Sequence, residues 1–247
     1  MSLKHLLLWM VCGMLTACGT PLLASPAPTL QAISISYPPS LQAWADKLST
    51  CAVGNPEIGL YFSQQANPKA STNPSDIDLA IGQPTNDGSG SEPYQIGWEQ
   101  MVVVVNQENP VAKLSDPLLK QIYSGQVVNW ENGAEQPIQV WVLPEGEPAR
   151  QVFEAALSLS GNLAPEARLA PNPLVLLKEV AADKYAIGYL PQSVLTNYDS
   201  SDSNRVKTIQ LDQSLEQALR QPVIAITWGE PTGQVRSLLA CLQAISH

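Results

Sequence analysis

Histidine supply limits the chemistry open to this chain. There are two, His5 near the start and His247 at the end, and none between them. A Ser-His-Asp or Cys-His relay needs an imidazole as base, and the usual zinc sets need one as ligand. Neither arrangement can be built in the body of the chain. A pair of carboxylates could instead work on a glycosidic bond as acid and base. Glu145 and Glu147 are such a pair, but two residues apart in a loop they read as solvated. No catalytic group, metal or cofactor is therefore expected, and an enzyme is the weaker reading.

The cysteines carry more information. Lys4 and His5 precede an apolar run over 6–15, which ends in Leu15-Thr16-Ala17-Cys18. A short cationic head and an apolar core of about ten residues make a secretory signal, too short to span a bilayer as a mature helix. Its last four residues look like a bacterial lipobox. That resemblance implies cleavage of a signal peptide over 1–17 and acylation of Cys18 on its thiol and new amino group. Several acyl chains anchor stably where one binds marginally. The alternative is an ordinary signal with an incidental cysteine. Residues 18–30 are small, Pro-rich and uncharged, the composition of a flexible tether. Cys12 leaves with the signal, so Cys51 and Cys241 remain. In an oxidising compartment they form one disulfide, or else stay as two unrelated buried thiols. A bridge closing so long a loop is worth roughly 4–5 kcal/mol.

Charge narrows the partners. The net charge is −9 and the isoelectric point about 4.6, which argues against nucleic acid and against an anionic membrane face. No apolar run after Cys18 is long enough to cross a bilayer, so the membrane is reached through the lipid alone.

The elements that must position any site alternate between strand and helix. Strands are expected over 32–36, 57–63, 76–82, 101–106, 138–143, 186–190 and 223–228. The 101–106 run is continuously apolar, as in a strand buried on both faces. Helices are expected over 40–50, with Leu41, Trp44, Ala45 and Leu48 on one face, and over 116–124, 148–159 and 174–182. Ser115 can cap the second of these, Asp116 suits its positive end and Gly125 stops it. The last helix begins near Thr232. Alternation of this kind calls for α/β layers.

Several segments together resemble a known family. They are Asp78-Leu-Ala-Ile-Gly-Gln-Pro84, Trp98-Glu-Gln-Met-Val-Val-Val-Val-Asn-Gln-Glu-Asn-Pro110 and Gln121-Ile-Tyr-Ser-Gly-Gln-Val-Val-Asn-Trp130. Gly146-Glu-Pro-Ala-Arg-Gln-Val-Phe-Glu154, Ala186-Ile-Gly-Tyr-Leu190 and Gly229-Glu-Pro-Thr-Gly233 complete the set. In this order they are similar to the phosphate-type solute-binding proteins of ABC transporters. The resemblance implies an α/β, two-lobed type II periplasmic binding protein-like fold with a ligand cleft between the lobes. It implies lobe 1 over 31–100 plus 194–247 and lobe 2 over 101–193, with binding by lobe closure. It further implies an extracytoplasmic monomer that binds a small polar solute or oxyanion, with an ABC permease as a candidate partner; the lipid anchor is what the lipobox implies.

In that family hydroxyls and amides at helix N-termini hold the oxyanion. The matching positions here are Ser34, Ser36 and Tyr37 after the first strand, Ser63 and Gln64 after the second, Gly82 and Gln83 after the third, and Gly146, Glu147 and Arg150 before a helix. The family's fourth loop reads approximately Gly-Ser-Gly-Thr-Arg. Here both hydroxyls are gone, Pro148 has no amide hydrogen to give, and Glu147 places a negative charge where the anion would lie. Glu147 also suits the first turn of a helix as a complement to its dipole. The glutamines, with Tyr37 or Trp98 as an aromatic wall, suit an uncharged polar ligand, although loop polarity and packing account for each singly. The resemblance thus points to a solute-binding lipoprotein whose ligand has moved away from phosphate. The alternative is a pseudo-receptor that keeps the fold for a structural, sensory or partner-binding role.

Overall fold

The computed structural model describes residues 30–66, 75–82, 90–130, 136–159, 161–198 and 201–246. The signal peptide over 1–17, the acylation site Cys18, nearly all of the tether, and Gln83 lie outside the described residues. Within them, nine strands form one mixed sheet. Strand β1 (Gln31–Tyr37) lies between β2 (Ile58–Gln64) and β3 (Ile77–Ile81), parallel to both. The long β4 (Ser91–Asn106) pairs antiparallel with β9 (Arg220–Trp228) along its first half, from Ser91 opposite Trp228 to Gln100 opposite Arg220. From Met101 onward it pairs instead with β7 (Ala186–Pro191), and on its other edge with β8 (Val206–Thr208). Strands β5 (Gln139–Val142) and β6 (Arg168–Leu169) complete the far edge.

The change of partner at Gln100–Met101 coincides with a change of hydrophobic cluster. Ile33, Ile35, Leu41, Trp44, Leu48, Leu79, Ile96, Val223, Leu238 and Leu242 bury one hydrophobic cluster. Met101, Val103–Val105, Phe153, Leu176, Tyr189, Val194 and Leu219 belong to a second, larger cluster. The apolar run of β4 thus serves the second cluster, as its continuous hydrophobicity predicts. Its first half is too polar to read as a strand from sequence, being held by β9 rather than by a buried face.

Helix α1 (Gln42–Ala52) presents Trp44, Ala45 and Leu48 to the first cluster, the face its periodicity predicts. Gly97 lets Trp44 pack close against β4, since a Cβ there would collide with the indole Cη2. The C-terminal helix, Gly233–Ala244, packs on α1, and Cys51 and Cys241 are joined in a disulfide with Cα atoms 5.9 Å apart. Helix α2 (Asp116–Tyr123) begins after Ser115 as expected, but the serine hydroxyl makes no capping bond. Asp212 takes that role from outside the helix, its Oδ2 accepting from the Asp116 amide at 3.2 Å. Helices α3 (Pro148–Ala156) and α4 (Pro173–Ala182) cover the second lobe, with Asn172 capping α4. Two short helices, α5 (Gln192–Asn197) and α6 (Gln213–Ala218), follow β7 and precede β9. No helix among the described residues is long and apolar enough to cross a membrane.

Candidate functional site

The expected binding positions begin where β1 runs out. Pro38 and Pro39 cannot continue a ladder, so the chain turns through a short 3-10 segment, Pro39–Leu41, into α1. The first amides of a helix have no partner of their own and point at whatever lies ahead. Ahead of Ser40 lies the other lobe. The Ser40 amide donates to Glu147 Oε1 at 3.2 Å, with Ser40 fully buried and Glu147 1 % exposed.

Glu147 reaches that position because its loop is held from behind. Gly146 sits at φ +88°, a backbone that glycine adopts without strain, and the Glu147 amide turns back to Pro144 O. Tyr189, stacked on Phe153 at 3.9 Å, accepts from the Leu143 amide. Arg150 donates to Leu143 O at 3.0 Å and pairs with Glu154 at 2.6 Å. Glu147 is the N-cap residue of α3 yet makes no side-chain bond to that helix. Its carboxylate crosses the cleft instead and meets the N-terminal end of the helical segment opposite. A carboxylate is what such an end stabilises.

Burial raises the pKa of Glu147, with the Ser40 hydroxyl and amide opposing. The amide bond is the one with hydrogen-bond geometry, since Ser40 Oγ is buried without a partner. Glu147 Oε2 and Ser36 Oγ are likewise buried and unpartnered. Asp78, opposite Ser36 in the register of β1 and β3, has its pKa pushed up to about 6 by burial, with the Ser75 and Ser36 hydroxyls opposing. Ser36 lies close enough to damp that shift without making a hydrogen bond of good geometry.

The other positions expected at the cleft are distributed differently. Ser34 is bound to Asp76, its amide and hydroxyl both donating to Asp76 Oδ2 at 2.7 Å. Tyr37 donates to Gln42, which also receives the Gln64 amide, and packs edge-on to Phe62. Ser63 is exposed and accepts from Gln65, and the Gly82 amide is spent on Pro222 O. Glu147 therefore meets Ser40 at the junction, Ser36 lies beside Asp78 in the β1–β3 register, and Arg150 braces the loop behind Glu147. Ser40 is the residue that sequence reasoning left out of the site, and its position straight after Pro38-Pro39 at a helix start was the available signal.

Two further contacts join elements of the first hydrophobic cluster to elements packed on the second. Glu99, at the crossover, accepts from Trp44 Nε1 at 2.8 Å and from the amides of Gln100 and Ser193, both at 3.2 Å. Tyr198, just beyond α5, donates to Asp46 on α1 at 2.7 Å. Among the described residues no group of three or more His, Cys, Asp or Glu is arranged to hold a metal. The site offers hydrogen bonds and charge between two bodies, which is equipment for binding.

A family model described as a PBP superfamily domain matches residues 85–230. Among solved structures, a protein described as a phosphate ABC transporter substrate-binding protein from Clostridium perfringens, with bound phosphate, is 19 % identical with a TM-score of 0.73. The match covers 86 % of this chain and 93 % of that one. An ABC-type phosphate transport receptor from Vibrio cholerae is 22 % identical with a TM-score of 0.63, covering 86 % and 94 %. The regulatory domain of Synechocystis CcmR, in complex with 2-PG, has the same TM-score of 0.63 at 11 % identity, covering 87 % and 97 %. At these identities the likeness is one of fold.

Proposed function

The chain belongs to the PBP superfamily, and on that premise we propose that it is an extracytoplasmic solute-binding lipoprotein, anchored through Cys18, whose cleft takes a small polar ligand other than phosphate. The fold and family are those of binding proteins rather than enzymes. The observation that carries the reading is the Glu147 carboxylate seated on the Ser40 amide, where an oxyanion would sit. Two unit charges about 4 Å apart at an effective dielectric near 20 repel by about 4 kcal/mol, close to a thousandfold in affinity. A neutral ligand escapes that penalty. It would give a hydrogen to Glu147 Oε2 and exchange hydrogen bonds with Ser36 Oγ and Ser40 Oγ, three atoms whose isolation costs about 1–3 kcal/mol each. An ABC permease is the partner this reading implies.

A second reading rests on the three contacts already joining the lobes, at Glu147, Glu99 and Tyr198. A cleft closed by its own side chains suits a pseudo-receptor read by a partner, a role in keeping with the regulatory domain it is similar to. Small-angle scattering separates the two. A binding protein compacts when a neutral polar solute from a screened panel saturates it. A pseudo-receptor keeps one radius of gyration throughout the panel, which would overturn the first reading.

A further inference from the structure

At the crossover lies a cavity of about 810 Å³ lined by α1, α5, the middle of β4 and the start of β9. Its size is that of a small-molecule site, for which about 300–1,000 Å³ is usual. It is separate in composition from the Ser40–Glu147 junction, none of whose residues line it. Its charge is unlike the rest of this acidic chain. Lys47 and Arg220 both face it, and neither has a carboxylate within salt-bridge reach among the described residues. The one carboxylate in the wall, Glu99, has its oxygens committed to Trp44, Gln100 and Ser193. Burial lowers the Lys47 pKa, with Glu99 opposing, so this ammonium is partly stripped of water.

The cations are also organised. Lys47 stands 4.1 Å from the centroid of the Trp44 ring, and the Arg220 guanidinium 4.9 Å from that of Trp98, an indole left 48 % exposed. Cations already on both indoles oppose a cationic guest and favour a flat anion, whose ring can pack on the exposed part of Trp98 while its charge meets Lys47 and Arg220. Gln192 and Asn197 add amide groups from α5, and Ser193 Oγ is buried there without a partner. Trp98, which from sequence suited an aromatic wall for the cleft, lines this cavity instead.

We propose that this cavity is a second ligand site, for a small aromatic anion held by Lys47 and Arg220 and stacked at Trp98. Its walls include both α1 and α5, so occupancy would resist their separation. The proposal is independent of what the Ser40–Glu147 junction binds.

The test is a titration of the ¹⁵N-labelled protein with 2-naphthoate, following the indole N–H signals of Trp44 and Trp98. The comparison ligand is 2-naphthylmethylamine, which has the same ring and the opposite charge. Naphthoate is expected to move both signals saturably, at least tenfold more tightly than the amine, and at least tenfold more weakly in Lys47→Gln and Arg220→Gln. Unmoved signals would overturn the proposal, as would equal response to both ions or binding unchanged in both variants. The Ser40 amide, read in the same spectra, reports the cleft separately.

Discussion

In the proposed function Glu147 sets what the cleft can hold, and its environment sets its charge. A carboxyl whose pKa is raised by burial favours the folded state while protonated and loses that contribution as pH rises through the folded value. Glu147 and Asp78 share this sign. For Asp78 the contribution is complete below about pH 4 and is lost as pH passes through about 6. Replacing Asp78 by Asn should therefore flatten the fall in stability between pH 4 and pH 7. The effect should be of the order of 1 kcal/mol at neutral pH, discounted for the solvent that reaches this side chain. Denaturant unfolding of both forms at the two pH values measures it, and parallel curves would show that Asp78 does not drive the slope. At this scale the sequence was half legible. Glu147 stood out as a charge in an anion loop, but its partner did not, because a backbone amide donor has no residue type to betray it. Arg150 and Ser34 carried the right chemistry for ligands, yet their side chains are taken by Leu143, Glu154 and Asp76 in contacts that spacing alone does not reveal.

The elements that aim these residues are β4 and the two helix starts. One strand carries the chain across both lobes, and its polar half was illegible because residues 91–100 lack a regular apolar period and are defined by pairing with β9. The helices with a clear apolar face, α1 foremost, were legible. Short elements such as β6, β8, α5 and α6 were not, since two to six residues are too few for a period to show. Gly97 is the sharpest dependence here. A methyl group would collide with the Trp44 ring, which is hemmed in by Leu48 and the Glu99 bond. Gly97→Ala should cost about 2–3 kcal/mol by overpacking. It should also shift the Trp44 indole N–H signal. A stability loss below about 0.5 kcal/mol would mean the helix can lift off the strand freely.

Across the whole molecule, the sheet joins two cores by a strand exchange, and the disulfide secures the first of them from near its start to near its end. The bridge spans 190 residues, so its reduction should lower stability by about 5 kcal/mol in the chain-entropy account. Unfolding of oxidised protein against a Cys51→Ser, Cys241→Ser double variant measures that loss. A change under about 1 kcal/mol would mean that packing of the two helices alone constrains the ends. The pairing was legible from cysteine count and compartment, and the two-lobed α/β plan from the order of motifs. The closed contact between lobes was not, because it depends on how two bodies meet.

The central claim is that Glu147 occupies the oxyanion's seat. The most direct measurement is a calorimetric titration of phosphate into the oxidised protein and into Glu147→Ser, side by side at neutral pH and moderate salt. The account predicts no binding heat for the parent up to millimolar phosphate, and affinity at least a hundredfold higher for the variant. Micromolar binding by the parent would contradict it, because the carboxylate at the Ser40 amide would then pose no barrier to an anion.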